Sequence, residues 1–138
     1  MATRTAADRR EEARAAYDAF LKECPTSQLL ARISDKWVGL ILSALAQAED
    51  QSLRYGDLGR KIPAVSQKML TQTLRSLERD GLVTRTVTPT VPARVDYRLT
   101  ELGSSLGCLF SSLKQWAENH FDEVSAHREL HDRAAATP

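Results

Sequence analysis

Residues 62–83 read IPAVSQKMLTQTLRSLERDGLV, and this stretch predicts a helix from Ser66 to Asp80 with a marked start and a marked end. Ser66 is a good N-cap, because its hydroxyl can accept a hydrogen bond from an amide of the first turn. Gly81 stands where a left-handed residue would end the helix, and Leu82 could then fold back against it. Three leucines at helical spacing form the core-facing stripe: Leu70, Leu74 and Leu77.

The outward face of this predicted helix carries no carboxylate until its far end. In the DNA major groove, Gln pairs with adenine and Arg pairs with guanine through two hydrogen bonds each. The N-cap and the first free amides of such a helix can hold a phosphate. We therefore predict DNA contacts from one end of this face to the other, at Ser66, Gln67, Lys68, Thr71, Gln72, Arg75 and Arg79.

A hairpin is predicted directly after the helix. Residues 83–87 and 95–99 both alternate between apolar and polar side chains, and Pro89 and Pro92 bracket the turn between them. Arg85 and Arg94 on this hairpin are predicted to contact phosphates or the minor groove. The alternative interpretation is that the two elements are an ordinary amphipathic helix and a surface hairpin without a binding role. The polarity, the positive charge and the order of the elements all favour DNA binding.

The helices predicted before residue 62 complete the element order of a known DNA-binding fold. Residues 36–48 predict a helix, and residues 55–61 predict a short one. Helix, short helix, turn, long helix and hairpin form the order of a winged helix-turn-helix. The fold class predicted is mainly α with a small β-hairpin wing, extended by N- and C-terminal dimerisation helices. The predicted core stripe of the 36–48 helix comprises Trp37, Leu40, Ile41, Ala44, Leu45 and Ala48.

The basic side chains are concentrated in the middle of the chain. The 138 residues have a net charge of only +1, but residues 53–98 carry nine basic and four acidic side chains, a net charge of +5. A polyanion is therefore a plausible partner for this segment. The length suits one domain, and neither a signal peptide nor an apolar run of membrane-spanning length is visible, so we expect a cytoplasmic protein without a membrane partner.

The flanking segments predict a homodimer, because two apolar helix faces have little local chain to cover them. The sequence divides into an N-terminal arm (1–23), the DNA-binding domain (24–100), a dimerisation helix (101–127) and a flexible tail (128–138). On the third segment, leucines from Leu102 onward recur with heptad-like steps up to Trp116. The predicted interface residues are Tyr17, Phe20, Leu21, Leu106, Leu109, Leu113 and Trp116.

The cysteines and histidines form no recognisable catalytic or metal-binding motif. Cys24 and Cys108 cannot make a disulfide framework, and the spacing of His127 and His131 fits solvated helix positions better than a zinc site. Glu23, beside Cys24, is expected to oppose a thiolate. No phosphate-binding glycine loop, nucleophile elbow or carboxylate pair is present, so we expect no metal, no cofactor and no enzymatic activity.

From Cys24 to Trp116 the chain resembles the HxlR-type family of bacterial transcriptional regulators. The resemblance covers roughly two thirds of the chain, and its ordered matches make it specific. It is carried by Cys24-Pro25, Asp35-Lys36-Trp37, residues 53–58, residues 62–71, residues 77–83, residues 91–97 and residues 99–103.

The resemblance implies homodimers that bind inverted-repeat operators. Several members sense oxidants or reactive aldehydes through the cysteine that matches Cys24, which makes Cys24 a candidate sensor and a small reactive compound a candidate effector. The alternative is that Cys24 is a packed, inert thiol. The chain departs from the family pattern at Ser34 and Asp35, where glycines are usual, and its 47–52 loop is longer than usual.

Two functional classes follow from the sequence. The first is a sequence-specific DNA-binding regulator that acts as a homodimer, and the alternative is a winged-helix protein-interaction module without DNA binding. An interaction module would be expected to present apolar anchors where this chain has Lys68, Gln72 and Arg75. A thiol enzyme using Cys24 would need a companion base that the sequence does not supply.

Overall fold

A computed structural model describes residues 3–137 of the chain. Within these residues it contains six α-helices, one 3₁₀ turn and three strands. The elements, in chain order, are α1 (Ala6–Glu23), α2 (Pro25–Ile33), α3 (Lys36–Gln47), the 3₁₀ turn (Glu49–Gln51), β1 (Ser52–Arg54), α4 (Tyr55–Lys61), α5 (Gln67–Arg79), β2 (Val83–Thr88), β3 (Arg94–Leu99) and α6 (Glu101–Ala136). None of the helices in this range is long and apolar enough to cross a membrane.

The chain divides into two compact units, with the boundary between Lys36 and Trp37. In the first unit, α1 begins with a capping box in which Thr5 and Asp8 each bond the other's backbone amide. Cys24 ends α1 and also caps α2, which starts at once because proline suits the first helical position. Only Cys24 separates α1 from α2, and the predicted domain boundary after residue 23 stays a prediction.

The second unit holds the core. Its fully buried large side chains come from α3, α4, α5 and β2, and they are Ile41, Leu42, Leu45, Leu58, Leu74 and Val83. The predicted α3 stripe is only partly correct, because Leu40 is 45% exposed whereas Val38 and Leu42 are buried. The reason is that a second helix also covers α3: the ring of Phe110 on α6 lies directly against Gly39.

The sheet is antiparallel with the order β1-β3-β2. The β2–β3 hairpin is the predicted wing, and Tyr97 and Leu99 on its second strand point into the core as expected. The sequence does not predict strand β1, because residues 50–52 read as a loop. Its three residues are too few to show alternation, and they become a strand only through pairing with residues 96–98 of β3.

Helix α5 has the predicted boundaries. The hydroxyl of Ser66 accepts a hydrogen bond from the amide of Met69, which confirms the N-cap. At the other end Gly81 has a φ of 75°, and the amide of Leu82 bonds the carbonyl of Leu77 at 2.9 Å. These are the bonds of a Schellman motif, so the reversal that leads into the wing is the one that the sequence specified.

Helix α6 is 36 residues long and continues to Ala136. Residues 128–136 of the predicted flexible tail are helical, while Pro138 lies outside the described residues. The segment contains neither glycine nor proline, and Glu129 pairs with Arg133 one turn later. Good helix formers and such i,i+4 pairs extend a helix that has already been nucleated.

Candidate nucleic-acid interface

The outward face of α5 is basic and polar in the structure, as predicted. Leu70, Thr73, Leu74 and Leu77 are buried, so the helix turns its other side to solvent. Four predicted DNA-contacting residues are exposed on that side: Lys68, Gln72, Arg75 and Arg79. The exposed Glu78 lies only at the C-terminal end, so a polyanion approaching the first three turns meets no carboxylate of α5.

Thr71 differs from the other residues predicted on this face. Its side chain is half-buried, and its hydroxyl lies 2.9 Å from the hydroxyl of Tyr55 on α4. That hydroxyl is thus already engaged within the protein.

The N-terminus of α5 keeps two backbone donors available. The amide of Met69 is taken by Ser66, and the amide of Leu70 makes the first helical bond, at 2.9 Å to the carbonyl of Ser66. The amides of Gln67 and Lys68 therefore have no partner within the helix. Such amides, at the positive end of the helix dipole, are suited to a phosphate oxygen.

The two predicted wing arginines lie on opposite faces of the sheet. Arg85 lies opposite Tyr97 across the hairpin, so these two side chains share a face. Arg94, which lies opposite Thr88, is three residues before Tyr97 on β3, so its side chain faces the other way. The Arg94 guanidinium Nε donates to the carboxylate of Asp96 at 2.9 Å. One of the two wing cations is therefore already partly neutralised.

A groove of about 470 Å³ lies between α4, α5 and the wing. Thr71 lines it together with four arginines, Arg54, Arg60, Arg85 and Arg94. Sequence reasoning had not singled out the first two as site residues, although both belong to the segment with a net charge of +5. Arg60 pairs with Asp57, whereas no carboxylate among the described residues pairs with Arg54 or Arg85.

The residues predicted for a dimer interface are solvent-accessible in the single chain. On α1, Tyr17, Phe20 and Leu21 are exposed. On α6, Leu109 is 67% and Leu113 58% exposed, and Trp116 is also exposed, whereas Leu106 is only half-buried. The helix instead turns Gly103 and Gly107 toward its own domain.

The candidate sensor Cys24 lies between two helices and is half-buried. Hydrogen bonds from the backbone amides of Ser27 and then Thr26 hold the pKa of the Cys24 thiol below its ordinary value, against a weaker opposing effect of burial. The sequence suggested that Glu23 would oppose the thiolate, but the amides at the start of α2 decide the direction.

The other candidate reactive groups remain dispersed. Cys108 is exposed on α6. His127 lies 3.9 Å from the carboxylate of Glu123, one turn earlier on the same helix. Within residues 3–137, no group of three or more histidine, cysteine or carboxylate side chains is placed to hold a metal ion.

Comparisons with known proteins agree with this geometry. Residues 32–125 match the family model described as HxlR-like helix-turn-helix. The chain is 40% identical over 116 residues to the HTH-type transcriptional regulator YtfH of Escherichia coli, covering 84% of this chain and 88% of that protein.

Solved structures of regulators are also similar. A transcriptional regulator, ytfH from Salmonella typhimurium, superposes with a TM-score of 0.70 at 39% identity, covering 78% of this chain and 94% of that one. The redox regulator HypR in its reduced form gives a TM-score of 0.66 at 35% identity, covering 75% of this chain and 99% of that one.

Proposed function

Because the chain belongs to the HxlR-like helix-turn-helix family and is a transcriptional regulator with a DNA-binding helix-turn-helix, we propose that it acts as a homodimer on an inverted-repeat operator. We further propose that oxidants or electrophiles control it through Cys24, and that it acts by binding rather than by catalysis. Helix α5 reads bases in the major groove, and the wing holds the neighbouring backbone.

The observation that carries the proposal is the exposed, carboxylate-free face of α5. Gln72 and Arg75 stand in the middle of the helix, where side chains reach base edges, and Lys68 stands near its start. The only large apolar side chain exposed on α5 is Met69, which is 36% exposed. A protein-interaction surface would be expected to have larger apolar anchors, so DNA is the favoured partner.

Exposed apolar residues on α6 support the homodimer. Leu109, Leu113 and Trp116 repeat with the spacing of a coiled-coil seam and leave apolar area in water. A second copy would cover this seam by two-fold symmetry. Two reading helices would then contact half-sites about 34–36 Å apart, one turn of DNA.

The surroundings of Cys24 support the sensing role. Amide hydrogen bonds at the start of α2 favour the thiolate, which is the reactive form of cysteine. The similar HypR structure is that of a redox regulator. Modification of Cys24 would add bulk or charge at the junction of α1 and α2, and we propose that this change releases the DNA.

The decisive experiment is selection of duplexes from a random-sequence pool by the full-length protein, followed by footprinting of the enriched sequence. We expect enrichment of an inverted repeat, protection of two half-sites one helical turn apart, and a dimeric mass for the protein in solution. Recovery of no preferred duplex from repeated selections would contradict sequence-specific DNA binding and favour the interaction module.

A further inference from the structure

The phenol hydroxyl of Tyr55 is hydrogen-bonded to the first turn of α5. Its hydroxyl donates to the backbone carbonyl of Gln67 at 3.2 Å and shares a 2.9 Å hydrogen bond with the hydroxyl of Thr71. Gln67 and Thr71 are four residues apart, so a single oxygen atom on α4 is bonded to both ends of one helical turn.

The proton count sets the direction of both bonds. A phenol has one proton, and a backbone carbonyl can only accept. If Tyr55 donates to Gln67, the hydroxyl of Thr71 must donate to the oxygen of Tyr55. Thr71 then has no proton left to offer to a phosphate or a base, which separates it from the exposed residues of the α5 face.

The ring of Tyr55 also touches the wing. Its centroid lies 6.5 Å from that of Tyr97, with the rings inclined at 46°. Tyr97 is buried on β3, the central strand of the sheet. The residue before Tyr55 is also fixed, because the backbone of Arg54 in β1 lies opposite that of Asp96 in the register of the β1–β3 ladder. Tyr55 thus contacts the reading helix on one side and the wing strand on the other.

We propose that Tyr55 is a positioning residue for DNA recognition, whose hydroxyl sets the pose of the first turn of α5 relative to the wing. This inference rests on the DNA-binding function proposed above. Base contacts by Gln72 and Arg75 require the helix to be held within about 0.5 Å and 10–20° of the productive geometry. Phosphate contacts tolerate more displacement, so loss of the hydroxyl should impair specific binding more than non-specific binding.

The test compares Tyr55→Phe with Tyr97→Phe on two probes: a duplex selected from a random pool by the wild-type protein, and a scrambled duplex of the same composition. Tyr97→Phe is the matched control, because among the described residues its hydroxyl makes no hydrogen bond to α5. Tyr55→Phe loses the hydroxyl that bonds both Gln67 and Thr71, and we expect it to bind the selected duplex about three- to tenfold more weakly and the scrambled duplex normally. The control should bind both like wild type.

Thr71→Val removes the same hydrogen bond from the other side and carries the test if Tyr55→Phe fails to fold. Its loss of specific binding should be no larger than that of Tyr55→Phe, which also loses the bond to the Gln67 carbonyl, and the double variant should lose little more than Tyr55→Phe alone. Additive losses would mean that Thr71 contacts DNA independently and would overturn the proposal. Wild-type affinity of folded Tyr55→Phe for the selected duplex would overturn it as well.

Hydrogen–deuterium exchange of the free protein gives a readout without DNA. A peptide covering residues 66–72 should exchange faster in Tyr55→Phe than in wild type or Tyr97→Phe, and unchanged exchange would contradict the positioning role. The two proposals fail in different ways. If the wild-type protein selects no duplex, DNA recognition fails and this inference falls with it. If the wild type selects a duplex and Tyr55→Phe binds it equally well, only the inference fails.

Discussion

Gly103, in the first turn of α6, lies directly against the backbone carbonyl of Leu82: a Cβ atom on Gly103 would clash with that oxygen. The same carbonyl accepts a hydrogen bond of 3.1 Å from the amide of Thr100. The Thr100 hydroxyl in turn donates to the carbonyl of Gly81 at 2.6 Å. The start of α6 is thus held against the turn that joins the reading helix to the wing.

We expect Gly103→Ala to destabilise the fold by about 1–3 kcal/mol or more, because the added methyl group meets backbone that cannot rotate away. Gly56→Ala is the matched control: its Cβ would lie 3.7 Å from the flexible Arg60 side chain. At this exposed position of α4 that change should be neutral or stabilise by up to about 1 kcal/mol. Urea denaturation of both variants measures the difference, and equal midpoints would contradict the close approach.

Gln72→Ala and Arg75→Ala should each cost about 1–3 kcal/mol of specific DNA binding and relax the preference at one base pair. Both side chains are exposed in the middle of α5. Arg128→Ala removes an exposed charge from α6 and serves as the control. Selection from a random pool by each variant measures the preference. If both folded α5 variants keep wild-type affinity and preference, α5 is not the reading helix.

Arg94→Ala should weaken binding to all duplexes about equally and lower the dependence of log K on log salt by about one unit, as expected for loss of one phosphate contact. Asp96→Asn should act in the opposite direction, because the carboxylate paired with Arg94 is removed. Titrations at several salt concentrations measure both effects. A changed base preference with an unchanged salt slope would contradict a phosphate contact.

Cys24→Ser should keep DNA binding in reducing buffer and lose release by iodoacetamide, whereas Cys108→Ser should retain that release. The pKa of Cys24 is lowered by the amides of Ser27 and Thr26. The thiolate is therefore populated at lower pH in the folded protein, and the alkylation rate of Cys108→Ser protein should rise at lower pH than that of the same protein in urea. Release that persists in Cys24→Ser would remove this thiol from the mechanism.

Leu113→Glu or Trp116→Glu should abolish the dimer and operator binding together, because a carboxylate on each copy would face its symmetry mate in an apolar seam. Gln115→Glu places the same charge on an exposed neighbour of both residues and should leave the dimer intact. Sedimentation measures the mass, and gel shift measures the binding. A monomeric wild-type protein at micromolar concentration with intact operator binding would contradict the dimer.

Two of the predicted site residues lie on the expected elements, but their side chains have partners that the sequence does not indicate. Arg94 is on the wing as predicted, but its guanidinium is paired with Asp96. Thr71 is on α5 as predicted, but its hydroxyl belongs to the hydrogen bonds of Tyr55. Sequence spacing identifies the face of an element, whereas the partner of a side chain depends on a second element that is distant in sequence.

The sequence by itself determined the parts of the fold that depend on neighbours along the chain. Helix α5 has its cap, its buried stripe and its Gly81 stop within residues 66–82, and the wing follows from local alternation. Only the tertiary structure decided β1, which is a strand because it pairs with β3 more than 40 residues away. It also decided that Tyr55 joins α5 to the wing and that Arg54 and Arg60 line the same groove. These contacts form when the packed core brings distant elements together, and no periodicity in the chain encodes them.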